Sequence, residues 1–87
     1  MEKLLKQESV SLKKYKSSIY YGNFKEGKKD GMGIMIYQNG RLFEGIFEND
    51  IRTSGMERSD NNTYYIGKFV NGTKEGPNGL YIDNNIV

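Results

Sequence analysis

Cysteine, histidine and tryptophan are absent from this chain of 87 residues, and proline occurs once, at Pro77. The lack of cysteine and histidine removes disulfides, the usual zinc sites and all thiol or imidazole catalysis. A cysteine-free chain is compatible with a reducing compartment. The longest apolar run, Ile34-Met35-Ile36-Tyr37, falls far short of the roughly 20 residues that span a bilayer. No apolar signal-peptide core follows Met1, so a soluble, cytoplasmic protein is expected. The formal charge of +2 is too small to imply a nucleic-acid partner. Acidic residues such as Glu44, Glu48, Asp50 and Glu57 show no metal-loop spacing. Gly31-Met32-Gly33 lacks the Lys-Ser/Thr pair of a phosphate loop. General acid–base chemistry would need two carboxylates in a cleft. No cofactor, no metal, no specific nucleic acid and no enzymatic activity are therefore expected.

What the chain does have is glycine (11 residues) and aromatics arranged in a period. Tyr20, Gly22 and Phe24 are followed by Phe43, Gly45 and Phe47, then by Tyr65, Gly67 and Phe69. An aromatic, a glycine and an aromatic at alternate positions mark one face of a β-strand. Their recurrence at a period between 20 and 50 residues marks a repeat array. Glycine inside a strand signals a close approach, and here each glycine lies between two rings of its own face. A large side chain is expected to lie over the bare backbone, as in aromatic rescue of a strand glycine.

Asn39-Gly40 between two apolar runs reads as a two-residue hairpin turn of type I′. Counting out from it pairs Tyr37 with Leu42, Ile36 with Phe43 and Ile34 with Gly45. Asn61-Asn62, counted the same way, pairs Arg58 with Tyr65 and Met56 with Gly67. Ile34, Ile36, Met56, Leu80 and Ile82 then join the aromatic face. Met35, Tyr37, Leu42, Ile46, Tyr64, Ile66 and Tyr81 form a second apolar face, interrupted by Glu44, Glu57 and Ser59. Gly27 and Gly72 supply the tight turns at the opposite edge.

Residues 1–18 differ in kind, with no glycine and many Lys and Ser. They read as an N-terminal leader ahead of a sheet domain at 19–87. A short amphipathic helix over about residues 2–9 is one element of the leader. An outgoing strand of a degenerate earlier repeat, Leu12 to Tyr15, is the other. Residues 1–30 hold eight Lys against four acids, an asymmetry that could draw an anionic partner to this end.

On these residues the chain resembles proteins built of MORN (membrane occupation and recognition nexus) repeats, with three copies over residues 20–85. The first copy, Tyr20 to Leu42, matches nearly throughout. The second carries Asp50 where the turn glycine belongs and lacks one residue before Gly55. The third has an extra residue, with Pro77, before Gly79. The resemblance implies an all-β fold, a meander of β-hairpins in one elongated, twisted sheet. It implies scaffolding, dimerisation or accessory roles, with lipid binding in some members, and it carries no catalytic residue set.

The expected function is a small stand-alone adaptor or inhibitor that binds a larger protein through its sheet faces or an open edge strand. The candidate binding residues are Tyr20, Met35, Tyr37, Leu42, Ile46, Tyr64, Tyr65, Ile66 and Tyr81. An unpaired edge also permits a homodimer. The alternative is a peripheral module on an anionic membrane surface, using Lys13, Lys14, Lys16, Lys25, Lys28 and Lys29 on phospholipid headgroups.

Overall fold

The chain folds into a single antiparallel sheet in the computed structural model, which describes residues 10–75 and 78–83. Eight strands follow in chain order: β1 (Val10–Lys14), β2 (Ser18–Lys25), β3 (Lys28–Tyr37), β4 (Leu42–Glu48), β5 (Ile51–Arg58), β6 (Thr63–Val70), β7 (Thr73–Lys74) and β8 (Leu80–Asp83). Each strand through β7 pairs with its sequence neighbours, and β8 pairs with β6 beside β7. This is the expected meander of hairpins, elongated to 44 × 27 × 24 Å. The outgoing strand expected at Leu12–Tyr15 is β1, which joins the edge of β2. The expected helix over residues 2–9 lies outside the described residues.

The turns at the two ends of the sheet differ, and the difference decides which side chains face inward. At one end Glu26-Gly27, Asn49-Asp50 and Asn71-Gly72 each place two consecutive residues at positive φ, between 52° and 81°. That is the two-residue type I′ turn, whose twist matches its flanking strands. Asp50 takes the glycine place at φ 72°. Its carboxylate accepts the Lys29 amide at 2.7 Å, and its own amide donates to the Lys29 carbonyl at 2.8 Å.

At the other end the two-residue turn expected at Asn39-Gly40 is not formed. The Tyr37 amide donates to the Arg41 carbonyl, and the Gly40 amide donates to the Tyr37 carbonyl. Within Gln38–Gly40 only Gly40 has positive φ, 94°. The loop therefore has three residues, with Gly40 in the left-handed position of a bulge. Ser59–Thr63 repeats the arrangement, with Asn62 at φ 71°. An extra loop residue shifts the register by one, and a one-residue shift sends every side chain to the opposite face. Met35 is thus opposite Phe43, Ile36 opposite Leu42, and Glu57 opposite Tyr65. This corrects the expected faces. Ile34, Ile36, Met56, Leu80 and Ile82 leave the aromatic side, and Met35, Tyr37, Glu57 and Tyr81 join it.

The core follows from this register. Gly22, Gly33, Gly45, Gly55 and Gly67 are paired strand to strand in one unbroken row. Tyr20 lies over Gly22 and Gly33, Phe43 over Gly45 and Gly55, and Tyr65 over Gly67 and Gly79. The glycines let three rings sit against bare backbone, so a single layer of sheet buries them completely. Phe24, Phe47, Phe69 and Tyr81 continue the chain of rings at centroid spacings of 4.9 to 5.3 Å. All these contacts are edge-to-face except the tilted Tyr65–Tyr81 pair. Such pairs contribute about 0.5–1.5 kcal/mol each beyond their burial.

The irregular repeat lengths are absorbed between the glycine row and the type I′ turns. In the first hairpin Gly22 faces Gly33 and Phe24 faces Lys29, so Asn23 stands opposite three residues. In the second, Gly45 faces Gly55 and Phe47 faces Arg52, leaving one residue fewer in the bulge. The residue missing before Gly55 is lost from this bulge and not from the core row.

Candidate protein-binding surface

Two surfaces result, and they differ in how far they are satisfied by the chain itself. The aromatic side is closed by its own rings. Cations cover the ring faces: Lys29 Nζ lies 4.8 Å from the Tyr15 centroid and 5.8 Å from that of Tyr20. The Arg52 guanidinium lies 5.2 and 4.9 Å from Phe43 and Phe69. Of the expected binding residues, Tyr20 and Tyr65 are fully buried here, Met35 is buried between Tyr20 and Phe43, and Tyr37 is half-buried at the rim. Tyr81 is exposed but stacks its ring on Tyr65. These five are parts of the core side: Tyr20 and Tyr65 were expected on this face, and the register correction brings Met35, Tyr37 and Tyr81 to it.

The outer face holds the other four. Along one row across the sheet stand Ile19, Ile36, Leu42, Arg58, Tyr64 and Ile82. The next row reads Leu12, Tyr21, Ile34, Glu44, Met56, Ile66 and Leu80. A third contains Met32, Ile46, Ser54 and Lys68. Leu42, Ile46, Tyr64 and Ile66 are therefore neighbours on one surface, as expected. Ile19, Tyr21, Met32, Ile34, Ile36, Met56, Leu80 and Ile82 belong with them and were not in the expected set. The signal for Ile34 and Ile36 lies in Gly33. It shares a strand with Ile34 and Ile36 at odd spacing, so a face that includes Gly22 and Gly45 excludes both. Val10, Tyr21, Asn23, Met32, Ile34 and Glu44 line a shallow groove of about 370 Å³ on this face.

The six lysines expected to meet a membrane do not gather. Lys14 and Lys16 stand at the end of the sheet that carries the three-residue loops. Lys25 and Lys28 flank the Glu26-Gly27 turn at the other end. The eight residues of β2 between them span about 25 Å at the usual strand rise. Lys13 points to the aromatic side, and Lys29 is engaged with the rings and with Asp50 at 3.5 Å. The Asp50 carboxyl is held below its ordinary range by the Lys29 amide hydrogen bond and by the Lys29 and Lys28 charges, against a smaller opposing effect of burial.

Glu57 was expected to interrupt the second apolar face. Instead it lies on the aromatic side, 2% exposed. Arg41 Nη2 reaches it at 2.7 Å, Arg52 Nη1 at 2.8 Å and Lys74 Nζ at 3.5 Å. Burial works to raise its pKa, but the Arg41 hydrogen bond and the charges of Arg52, Lys74 and Arg41 outweigh it and hold the carboxyl below the ordinary range. The Arg41 pKa is raised in turn, mainly by that same hydrogen bond. No cluster of acidic side chains suited to a metal ion exists among the described residues. Among them, too, no helix is long and apolar enough to cross a membrane.

A single sheet of tandem hairpins, with a Tyr or Phe ring over each glycine pair, defines a β-hairpin repeat protein. The family profile described as the MORN repeat matches residues 20–40 and 65–77, and the chain belongs to the MORN-repeat proteins. The unmatched middle copy is the one with Asp50 in the turn and the shortened bulge. The chain is 36% identical over 67 residues to Alsin of Rattus norvegicus, Mus musculus and Homo sapiens, a match covering 70% of this chain. It spans only 4% of the length of these curated relatives.

Proposed function

We propose that the chain acts by binding, as a small adaptor or inhibitor with no catalysis of its own, and that a protein partner covers its outer face. One observation carries this reading. On the outer face of a one-layer sheet, Leu12, Tyr21, Met32, Ile36 and Leu80 are each about half exposed, at 49–57%. Contiguous apolar area of this kind on a soluble surface marks an interaction site. The aromatic side has less need, because Tyr20, Phe43, Phe47, Tyr65 and Phe69 are already buried there. The partner expected is one with an apolar patch rimmed by polar groups, since Glu44, Arg58 and Lys68 punctuate the face.

Paired substitutions on the exposed side chains test the reading. Ile36→Ser with Ile66→Ser removes apolar surface while leaving the ring ladder intact. The protein should keep its thermal midpoint and lose capture of its partner from the native host, with self-association, read by sedimentation, reduced as well if the partner is a second copy. Undiminished capture by a folded double variant places the interface elsewhere.

A further inference from the structure

The ion cluster around Glu57 is over-supplied with positive charge. One carboxylate, Glu57, faces Arg41, Arg52 and Lys74, so the cluster carries two formal positive charges more than negative. Among the described residues no second carboxylate lies within salt-bridge distance of these three cations. Asp60, in the neighbouring turn, acts on Arg41 only through its field. Buried and half-buried cations hold their charge best when each is paired and hydrogen-bonded.

The excess is directed into a cavity. Tyr37, Asn39, Arg41 and Arg52 line a pocket of about 190 Å³ at the rim of the aromatic side. Each contributes donors: a phenol, an amide NH2 and two guanidiniums. The Asn39 carbonyl oxygen, which would oppose an anion, is already engaged by the Arg41 backbone amide at 3.1 Å. Arg52 is fixed in place by Glu57, by the Gly72 carbonyl at 2.7 Å and by the two phenylalanine rings. Arg41 gives one Nη2 hydrogen to Glu57 and leaves the other two-pronged edge of its guanidinium for a ligand, with a side chain 43% exposed.

We propose that this pocket binds the carboxylate of an acidic side chain, Asp or Glu, presented by a polypeptide. The Arg fork matches a carboxylate with two parallel hydrogen bonds, and charge-assisted bonds of this kind are the strong ones. A carboxylate adds one negative charge, which halves the excess of two and sets only one further charge beside Glu57. The site lies on the opposite side of the sheet from the apolar outer face and does not depend on that face being an interface.

The test uses the full chain, 15N-labelled, titrated with a blocked Gly-Glu-Gly-Glu-Gly peptide and with its Gln counterpart. The Glu peptide should move the side-chain N–H signals of Arg41, Arg52 and Asn39, and the Gln peptide should not. Arg41→Gln should weaken binding about tenfold, while Lys14→Gln and Lys68→Gln, equal losses of charge on the outer face, should leave it unchanged. If Arg41→Gln loses its fold, Arg41→Lys keeps the charge without the fork and should still weaken binding several-fold. No shift with the Glu peptide overturns the proposal, as do equal shifts with both peptides or equal loss in the outer-face controls. Inorganic phosphate binding more tightly to the same residues overturns the carboxylate assignment. Failure of the outer-face variants to affect partner capture leaves these results untouched.

Discussion

Replacing Gly33 by alanine puts a methyl group where the Tyr20 ring lies. An ideal Cβ at Gly33 would stand 2.2 Å from Tyr20 Oη, 2.3 Å from Cε1 and 2.4 Å from Cζ, against 3.4–4 Å for ordinary contact. The ring has to move by more than an ångström. It is fully buried, and its hydroxyl donates to the Asn23 carbonyl at 2.9 Å. It also meets Phe24 and Phe47 edge to face at 5.0 and 5.1 Å. Overpacking of this kind destabilises by about 1–3 kcal/mol. A lost neutral hydrogen bond adds about 1 kcal/mol and each disturbed ring pair about 0.5–1 kcal/mol. Because these overlap, a total of about 3–4 kcal/mol is expected. That is a large share of the roughly 5–15 kcal/mol that holds a domain together. Urea unfolding followed by circular dichroism measures it directly. Two comparisons isolate the mechanism. Gly40→Ala meets no atom within 4 Å and is disfavoured only by its φ of 94°, at about 1 kcal/mol. In a Tyr20→Leu background, Gly33→Ala should lose at least about 2 kcal/mol of its effect, a coupling typical of touching residues. A Gly33→Ala protein within about 0.5 kcal/mol of the parent, or an equal loss in both backgrounds, refutes the idea that a ring over bare backbone organises this sheet.

Glu57 and Tyr20 make the fold sensitive at both ends of the pH scale. Because the folded-state pKa of Glu57 lies below its ordinary value of 4.5, its contribution is complete above that value and is lost as pH falls through the folded pKa. Glu57→Gln should flatten that acid limb and destabilise the protein at neutral pH by about 3 kcal/mol, because it leaves three cations without their carboxylate; an unchanged acid limb contradicts this. Tyr20 behaves with the opposite sign. Burial, and to a lesser degree the charges of Tyr15, Asp30 and Asp50, push its pKa from 10.0 up to about 12. Its share of stability is complete below pH 10 and falls by about 3 kcal/mol as pH rises through 12. Tyr20→Phe should abolish that part of the alkaline loss, measured as the difference between the two proteins' unfolding midpoints across this range.

The repeat and its phase were legible because they are local. Tyr20-x-Gly22-x-Phe24 and its two echoes place three side chains on one face of any strand, whatever that strand pairs with. The outward position of Leu42, Ile46, Tyr64 and Ile66 was legible for the same reason, since each alternates with a ring or glycine of its own strand. The turn was harder. Asn39-Gly40 suits a two-residue loop and equally the last two places of a three-residue loop, and these alternatives differ by one residue in register. The choice is made across the sheet, where Gly33 must face both Gly22 and Gly45 so that Tyr20 can lie flat. That demand puts Met35 inside and Ile34 and Ile36 outside.

By itself the sequence determined a family, a meander of hairpins and a set of glycines spaced for close approach. Each of these depends on residues a few positions apart. Only the folded sheet decided that Glu57 is a buried anion, because its three cations come from the β3–β4 loop, from β5 and from β7. Charge that converges from three separate segments leaves no mark in the spacing of any one of them. The same holds for the places of Ile34, Ile36, Met56, Leu80 and Ile82 on the outer face, which depend on the register the hairpins adopt.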